Sequence, residues 1–287
     1  MRLINTNTKI LIVGLGLLGG SYAKALSKKG FHVSAITRSQ KSIDYALSRG
    51  WIEKGSAFVD EALLAESDIV IFGLYPTAFV QWIESNQHLF KSGAILTDVT
   101  GIKGAVVDTI QEMLRDDVEF ISAHPMAGRE VSGVENSDDR IFHNANYIVT
   151  PTKRNTEGAI ELCRDLGVIL GFARISTLSP KEHDEIIAFV SQLTHCIAVS
   201  LMTCQKTEHL EDYTGDSFRD LTRIARLNDE MWSELFLLNK EPLLKQMKLF
   251  EDELARLRSL LENNDREGLR AMMRYSTERR ALFDKKL

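Results

Sequence analysis

The sequence predicts an α/β protein: a Rossmann-type doubly wound parallel sheet over residues 1–177, then an all-α C-terminal domain over 178–287. Three observations lead there. A glycine-rich loop, Gly14-Leu-Gly-Leu-Leu-Gly19, follows an apolar run and opens a helical stretch, the context in which such a loop cradles a dinucleotide. Short apolar runs then alternate with helix-period segments as far as residue 177, as parallel strands joined by crossover helices require. Beyond Leu178-Ser-Pro-Lys-Glu-His183 strand signal almost vanishes and apolar residues recur at helical spacing.

In order, Lys9–Val13 reads as a buried strand and Leu17–Lys28 as the helix after the glycine loop. Phe31–Thr37 is a second strand and Gln40–Arg49 its helix. Asp68–Gly73 and Ala94–Asp98 are short apolar runs of the kind that fill a sheet covered on both faces. Glu119–Ala123 and Tyr147–Thr150 are expected to extend that sheet, with helix 155–170 and a strand at Ala173–Ser176 completing the domain. Ser179, Pro180 and Glu182 supply a cap, a first-turn proline and a first-turn acid, a strong helix start. Ile186, Phe189, Leu193, Ile197 and Leu201 then mark one long helix. Leu243, Met247, Phe250, Leu254, Leu257 and Leu261 alternate steps of four and three. Such a heptad seam serves either a helical core or a subunit interface.

Composition narrows the function. At 287 residues the chain is long enough for two cores. A net charge of −5 without a basic tail argues against nucleic acid or an anionic membrane as partner. No apolar run is read as approaching the ~18–20 residues that span a bilayer. The start, Met-Arg-Leu-Ile-Asn-Thr-Asn-Thr, lacks a secretory apolar core. Cys163, Cys196 and Cys204 form no metal or redox spacing and are expected as core thiols of a cytoplasmic protein. No metal is expected.

The chemistry-bearing residues fall into three groups. In the loop, Gly14 permits a tight turn, Gly16 lets backbone approach a pyrophosphate and Gly19 lets helix pack on strand. Leu17 and Leu18 open the helix whose positive end faces the phosphates. At the end of the second strand an acid usually bonds the ribose 2′-hydroxyl; here stand Thr37, Arg38 and Ser39. That combination favours a 2′-phosphate, hence NADP over NAD, although Arg38 stacked on adenine would suit either. His124 ends a strand at the crevice side of the sheet and is placed to act as general base. His195, within the long helix, reads on pattern alone as a core histidine. Asp220 and Arg223, three apart, share a helix face; a solvated ion-paired face is the plainer reading, a carboxylate clamp the functional one.

With these residues in view, the chain resembles the prephenate dehydrogenase (TyrA) family over nearly its whole length. The matching segments are Gly14–Ser21, Thr97-Asp98 with Lys103, His124-Pro-Met-Ala-Gly128, Ser132-Gly133, Ser179–Asp184, His195, Phe218–Ala225, and Asn228–Lys240 with its Met231-Trp232. The resemblance implies oxidative decarboxylation of prephenate to 4-hydroxyphenylpyruvate, in a homodimer formed through the helical domain. His124 would take the proton of the ring hydroxyl. Arg223 would grip a substrate carboxylate with Asp220 holding its fork, and His195 would lie near the substrate. Glu130 matches an acid that gates or ion-pairs at the pocket.

Three departures accompany the match. The family's serine after the strand falls on Gly101, so its hydroxyl is missing unless Thr100 replaces it. Arg129 stands where a smaller residue is common, either binding the side-chain carboxylate or facing solvent. The acid expected near Thr37 is absent. Arogenate dehydrogenase is the nearest alternative; a β-hydroxyacid dehydrogenase would need a catalytic lysine in a Gly-x-x-x-Lys helix of the second domain, a motif that the helix of His195 does not offer. A non-catalytic dinucleotide-binding regulator would not need His124 and Arg223 to converge. No segment resembling a fused tyrosine-sensing ACT domain or chorismate mutase is seen, so any inhibition by tyrosine is expected to act at the active site.

Overall fold

Lys9–Val13 (β1) lies at the centre of a six-stranded, all-parallel sheet with His32–Ile36 (β2), Lys54–Ser56 (β3), Ile69–Phe72 (β4), Ile95–Asp98 (β5) and Glu119–Phe120 (β6). The computed structural model describes residues 4–283. Residues 1–3 and 284–287, at the outer ends of the two expected domains, lie outside the described residues. The spatial order is β3-β2-β1-β4-β5-β6. The chain therefore reverses direction beside β1, which opens a ligand crevice at the carboxyl ends of β1 and β4.

Side chains of β1 alternate between two cores. Ile10 and Ile12 join one cluster with Tyr22 and Leu166, while Leu11 and Val13 join another with Phe72, Phe79 and Phe120. A strand buried on both faces has no polar alternation to display, which is why these runs are uniformly apolar. The covering helices are Leu17–Ser27 (α1), Gln40–Ser48 (α2), Glu61–Glu66 (α3), Pro76–Asn86 (α4), Val107–Met113 (α5) and Glu157–Leu170 (α6).

The expected strand Glu119–Ala123 divides, and Tyr147–Thr150 does not extend the parallel sheet. Ser122–Pro125 (β7) pairs antiparallel with Asn146–Thr150 (β8), which pairs parallel with Arg174–Thr177 (β9). The cause is Asp98. Ile121 N–H still donates to Leu96 O at 3.0 Å, but the next donors, Ser122 Oγ and Ala123 N, turn to Asp98 Oδ1 at 2.6 and 3.1 Å. A side chain thus replaces the next rung of the ladder, and the strand leaves the sheet carrying His124 with it.

Pro180–Ile187 (α7) opens on a full capping box between Ser179 and Glu182. It continues through a π-helical segment, Ala188–Leu193, into Thr194–Thr203 (α8). The expectation that no apolar stretch could span a bilayer is corrected: Pro180–Thr203, 24 residues, is long and apolar enough. Helical periodicity conceals this, because polar residues interrupt the run in sequence. Two of them, Asp184 and Gln192, are buried and bond protein groups (below), as buried polar side chains do.

Asp216–Thr222 (α9) and Asp229–Leu238 (α10) follow. By internal packing the chain divides into units Met1–Lys240 and Glu241–Leu287, the second built from Lys240–Glu262 (α11) and Arg266–Ala281 (α12). Along the heptad seam Leu243 is buried, whereas Phe250, Leu254 and Leu261 are exposed on the single chain. All three cysteines are free. Cys163 is the core thiol expected, but Cys196 is half-buried and Cys204 is exposed, because α8 ends just before it.

Candidate active site

The glycine loop closes the crevice floor. Gly14 takes φ +99°, a conformation that side chains resist, and its N–H donates to Ile36 O at 2.8 Å. A Cβ on Gly19 would lie 1.9 Å from Gly14 O, so only glycine lets α1 begin so close to the turn. At Gly16 a Cβ would meet nothing within 4 Å. The backbone there borders open space, and no side chain caps the first N–H groups of α1. Open room beside uncapped helix N–H groups fits a pyrophosphate. Leu17 and Leu18 are half-buried in the first turn. At the end of β2, Thr37 is half-buried and Arg38 is exposed, without a hydrogen bond or ion pair among the described residues. Ser39 Oγ caps α2, accepting from Ser42 N at 3.2 Å.

Across the sheet, Asp98 and Lys103 form a fully buried ion pair at 2.8 Å. Lys103 Nζ also donates to Ala123 O at 2.7 Å and Thr100 Oγ1 at 3.2 Å. Burial lowers the Lys103 pKa, against the opposing pull of Asp98. Thr100 is buried, with its hydroxyl on Asp98 Oδ2, Ile102 O and Lys103 Nζ. The expectation that Thr100 supplies the missing substrate hydroxyl is therefore corrected, because that hydroxyl serves the ion pair. Gly101 instead faces the histidine: a Cβ there would sit 3.9 Å from His124 Nε2 and 3.6 Å from Leu235.

His124 is partly exposed on β7. Its Nδ1 lies 2.8 Å from His183 Nε2, and its Nε2 has no hydrogen bond among the described residues. Burial, His183 and the Lys103 charge together hold its pKa well below 6.5. The ring is thus neutral at physiological pH, with one nitrogen engaged and the other open. Such a group can accept a proton.

A second set of residues gathers along α8, α9 and α10. His195 stacks on Trp232, ring centroids 3.7 Å apart, and its Nδ1 bonds Ser191 O at 2.8 Å. Burial lowers its pKa, so Nε2 carries the lone pair. Arg223 Nη1 meets Glu130 Oε1 at 2.5 Å in a largely exposed pair. The expected Asp220 brace on Arg223 is not made. Arg223 begins a 3-10 turn just after α9 and pairs with Glu130, although it lines one hollow with Asp220, Thr194 and Ile197. Arg129 bonds Asp138 Oδ2 at 2.8 Å, beside Arg140 and Lys24. Almost half of the Arg129 side chain remains exposed, at 44%.

The structure thus brings His124, Gly101 and Leu235 together, and gathers His195, Trp232, Arg223 and Glu130 separately along α8–α10. Sequence reasoning gave no role to His183, Asp184 or Trp232. The signal lay in the helix start, where a His-Asp pair follows a capping box and projects from the first turns. No group of three or more His, Cys, Asp or Glu side chains among the described residues could hold a metal ion.

A doubly wound sheet with an uncapped glycine-loop helix, a neutral histidine at the crevice and a helical C-terminal half defines a nicotinamide-dependent dehydrogenase. Comparison with known proteins agrees. Residues 22–171 match the family model for the prephenate dehydrogenase nucleotide-binding domain, and 179–275 that for its dimerization domain. The chain is 32% identical to the prephenate dehydrogenase of Bacillus subtilis, across 91% of this chain and 72% of that one. It superposes on Aquifex aeolicus prephenate dehydrogenase, solved with hydroxyphenyl propionate and NAD+, with a TM-score of 0.89, 29% identity and coverage of 99% and 100%. Synechocystis arogenate dehydrogenase gives 0.83, 25%, 96% and 100%. The chain belongs to the prephenate dehydrogenase family, NAD-binding oxidoreductases of tyrosine biosynthesis.

Proposed function

We propose that this chain oxidises prephenate to 4-hydroxyphenylpyruvate, with His124 as the general base. The observation that carries this is the open Nε2 of a neutral His124 beside Gly101, on a strand ending at the dinucleotide crevice. A nicotinamide dinucleotide held at the Gly14–Gly19 loop would supply the hydride acceptor for the ring carbon bearing the hydroxyl. His124 takes the hydroxyl proton as that hydride leaves, so the carbon becomes a carbonyl. Loss of the ring carboxylate as carbon dioxide then restores aromaticity, and the proton on His124 returns to the phenolate oxygen.

Arg223 binds a substrate carboxylate in this reading. Its ion pair with Glu130 leaves the guanidinium largely exposed, and a substrate carboxylate takes the place of the glutamate. Asp220 lines the same hollow. Thr37, Arg38 and Ser39 receive the adenosine ribose, and the unpartnered Arg38 favours NADP, while the Aquifex relative carries NAD+. We assign nucleotide binding to 1–177 and dimerisation to 178–287, with the exposed part of the Leu243–Leu261 seam at the subunit contact. A cytoplasmic location belongs to the same reading, supported by the free thiols and the biosynthetic family.

Arogenate is the second reading. With Nδ1–H spent on Ser191 O, His195 offers a lone pair, which suits an ammonium better than a keto oxygen. The test is reduced-nicotinamide absorbance with prephenate or arogenate, each with NAD or NADP. His124→Ala should lower kcat about 10²–10⁴-fold, whereas Arg223→Ala should chiefly raise KM. No turnover in any of the four mixtures would refute the assignment.

A further inference from the structure

Behind His124 stands a buried chain of side chains that the reaction above does not use. His124 Nδ1 lies 2.8 Å from His183 Nε2, and His183 Nδ1 lies 2.7 Å from Asp184 Oδ1. Asp184 Oδ1 also accepts from Lys103 N at 2.8 Å, and Oδ2 from Gly104 N at 2.7 Å. His183 has no exposed surface and Asp184 almost none.

Donors and acceptors along this chain can be ordered in one way. A carboxylate only accepts, so the proton between it and His183 sits on Nδ1 of the histidine. A neutral imidazole carries a single N–H, which leaves His183 Nε2 with a lone pair. That lone pair needs a donor, and the atom facing it is His124 Nδ1. His124 must then carry its proton on Nδ1 and its lone pair on Nε2, the nitrogen facing Gly101.

We infer that His183 and Asp184 are positioning residues that fix the tautomer of His124, so that its Nε2 is always the proton acceptor. Three groups face the two rings: Lys103 from the loop after β5, Asp98 from β5 and Asp184 from α7. Burial is the largest influence on His183 and lowers its pKa; Lys103 lowers it further, while Asp184 and Asp98 raise it. The result keeps His183 neutral, as the ordering requires. When His124 Nε2 takes a proton, the imidazolium formed donates Nδ1–H toward His183 and Asp184. Its charge is then held by a hydrogen-bonded carboxylate rather than by water. The two amides on Asp184 come from residues just beyond Gly101, so the base and the loop facing it are held by one anchor.

This inference rests on His124 being the base, and the experiment separates the two. In protein carrying ¹⁵N-histidine, long-range ¹⁵N–¹H spectra distinguish Nδ1–H from Nε2–H, and the His124→Asn variant assigns the signal. The unaltered protein should show His124 as Nδ1–H, and His183→Ala should convert it toward Nε2–H, the form imidazole prefers in water. His183→Ala should also lower kcat about 10–100-fold with KM within about threefold. His183→Gln, whose amide oxygen can occupy the place of His183 Nε2, should restore part of both. A purely structural role predicts lost stability with no change of tautomer. Nε2–H in the unaltered protein would overturn the inference, even if His183→Ala fails to fold. If His124 is Nδ1–H and depends on His183 but neither prephenate nor arogenate turns over, the relay stands and the substrate assignment falls.

Discussion

Replacing Lys103 with methionine should destabilise the nucleotide-binding unit by about 3–5 kcal/mol, the range for breaking a buried ion pair from one side. Methionine resembles the lysine stem in shape and polarity, so little cavity is created. What disappears is one positive charge and three donated bonds, to Asp98 Oδ2, Thr100 Oγ1 and Ala123 O. Asp98, with no exposed side chain, would keep the donors Ser122 Oγ, Ala123 N and Thr100 N but lose its counter-charge. At about 2–4 °C per kcal/mol for a unit of this size, the melting temperature should fall by roughly 6–20 °C. Circular dichroism melts at neutral pH, supported by urea titration, would measure it. The double variant Asp98→Asn with Lys103→Met should be more stable than the single one, because a neutral amide is far cheaper to bury than a lone carboxylate. A single variant within 2 °C of the unaltered protein would refute this reasoning. A double variant no better than the single would show that lost hydrogen bonds, not charge, set the cost.

Four further outcomes are expected. Arg38→Ala should raise KM for NADP at least about tenfold, from the loss of a charge-assisted bond, and that for NAD less than threefold; equal changes would remove Arg38 from the 2′-phosphate site. Gly101→Ser should fit, since its Cβ would make only ordinary contacts. Its hydroxyl should lower substrate KM by about 2–10-fold, one neutral hydrogen bond, and a raised KM would show that position 101 does not face the reacting hydroxyl. Because His124 must be neutral and its pKa is depressed, kcat should stay flat through neutral pH, with an acid limb well below 6.5. Stability should show the same sign through His183: below pH 6.5 the unfolded chain binds the proton first. Stability is then lost as pH falls, by at most about 1.4 kcal/mol per unit for that histidine. A melting temperature unchanged from pH 7 to 5 would contradict this.

The glycine loop, the first two strands with their helices, and the long helix after Ser179 were legible because each rests on local chemistry: apolar runs, a capping box, a turn only glycine can make. The departure of β7 from the main sheet was not, because it depends on Asp98 turning toward Ser122 and Ala123, side-chain geometry that no periodicity records. His124 was readable from its place at a strand end. Its partner His183 is distant in sequence and comes from another element, so only the fold reveals the pair. Thr100 shows the converse: next to Gly101 in sequence, it points into the ion pair. Arg223 and Asp220 share spacing but not geometry, since the helix ends between them and the arginine finds Glu130 instead.

The π-helical turn at Ala188–Leu193 sets how His183 and His195 are phased around the axis of one continuous helix. Twelve positions separate them, which in an unbroken α-helix sets two side chains about 120° apart around the axis. A π-turn accommodates about one extra residue, close to 100° of unwinding, and brings the two nearly into phase. The widened turn also points Gln192 inward, to Leu235 O and Asn239. The helix works as a camshaft whose lobes are timed by a single residue: removing one position there would leave its length and polarity almost unchanged, yet turn His195 out of phase with His183 about the helix axis.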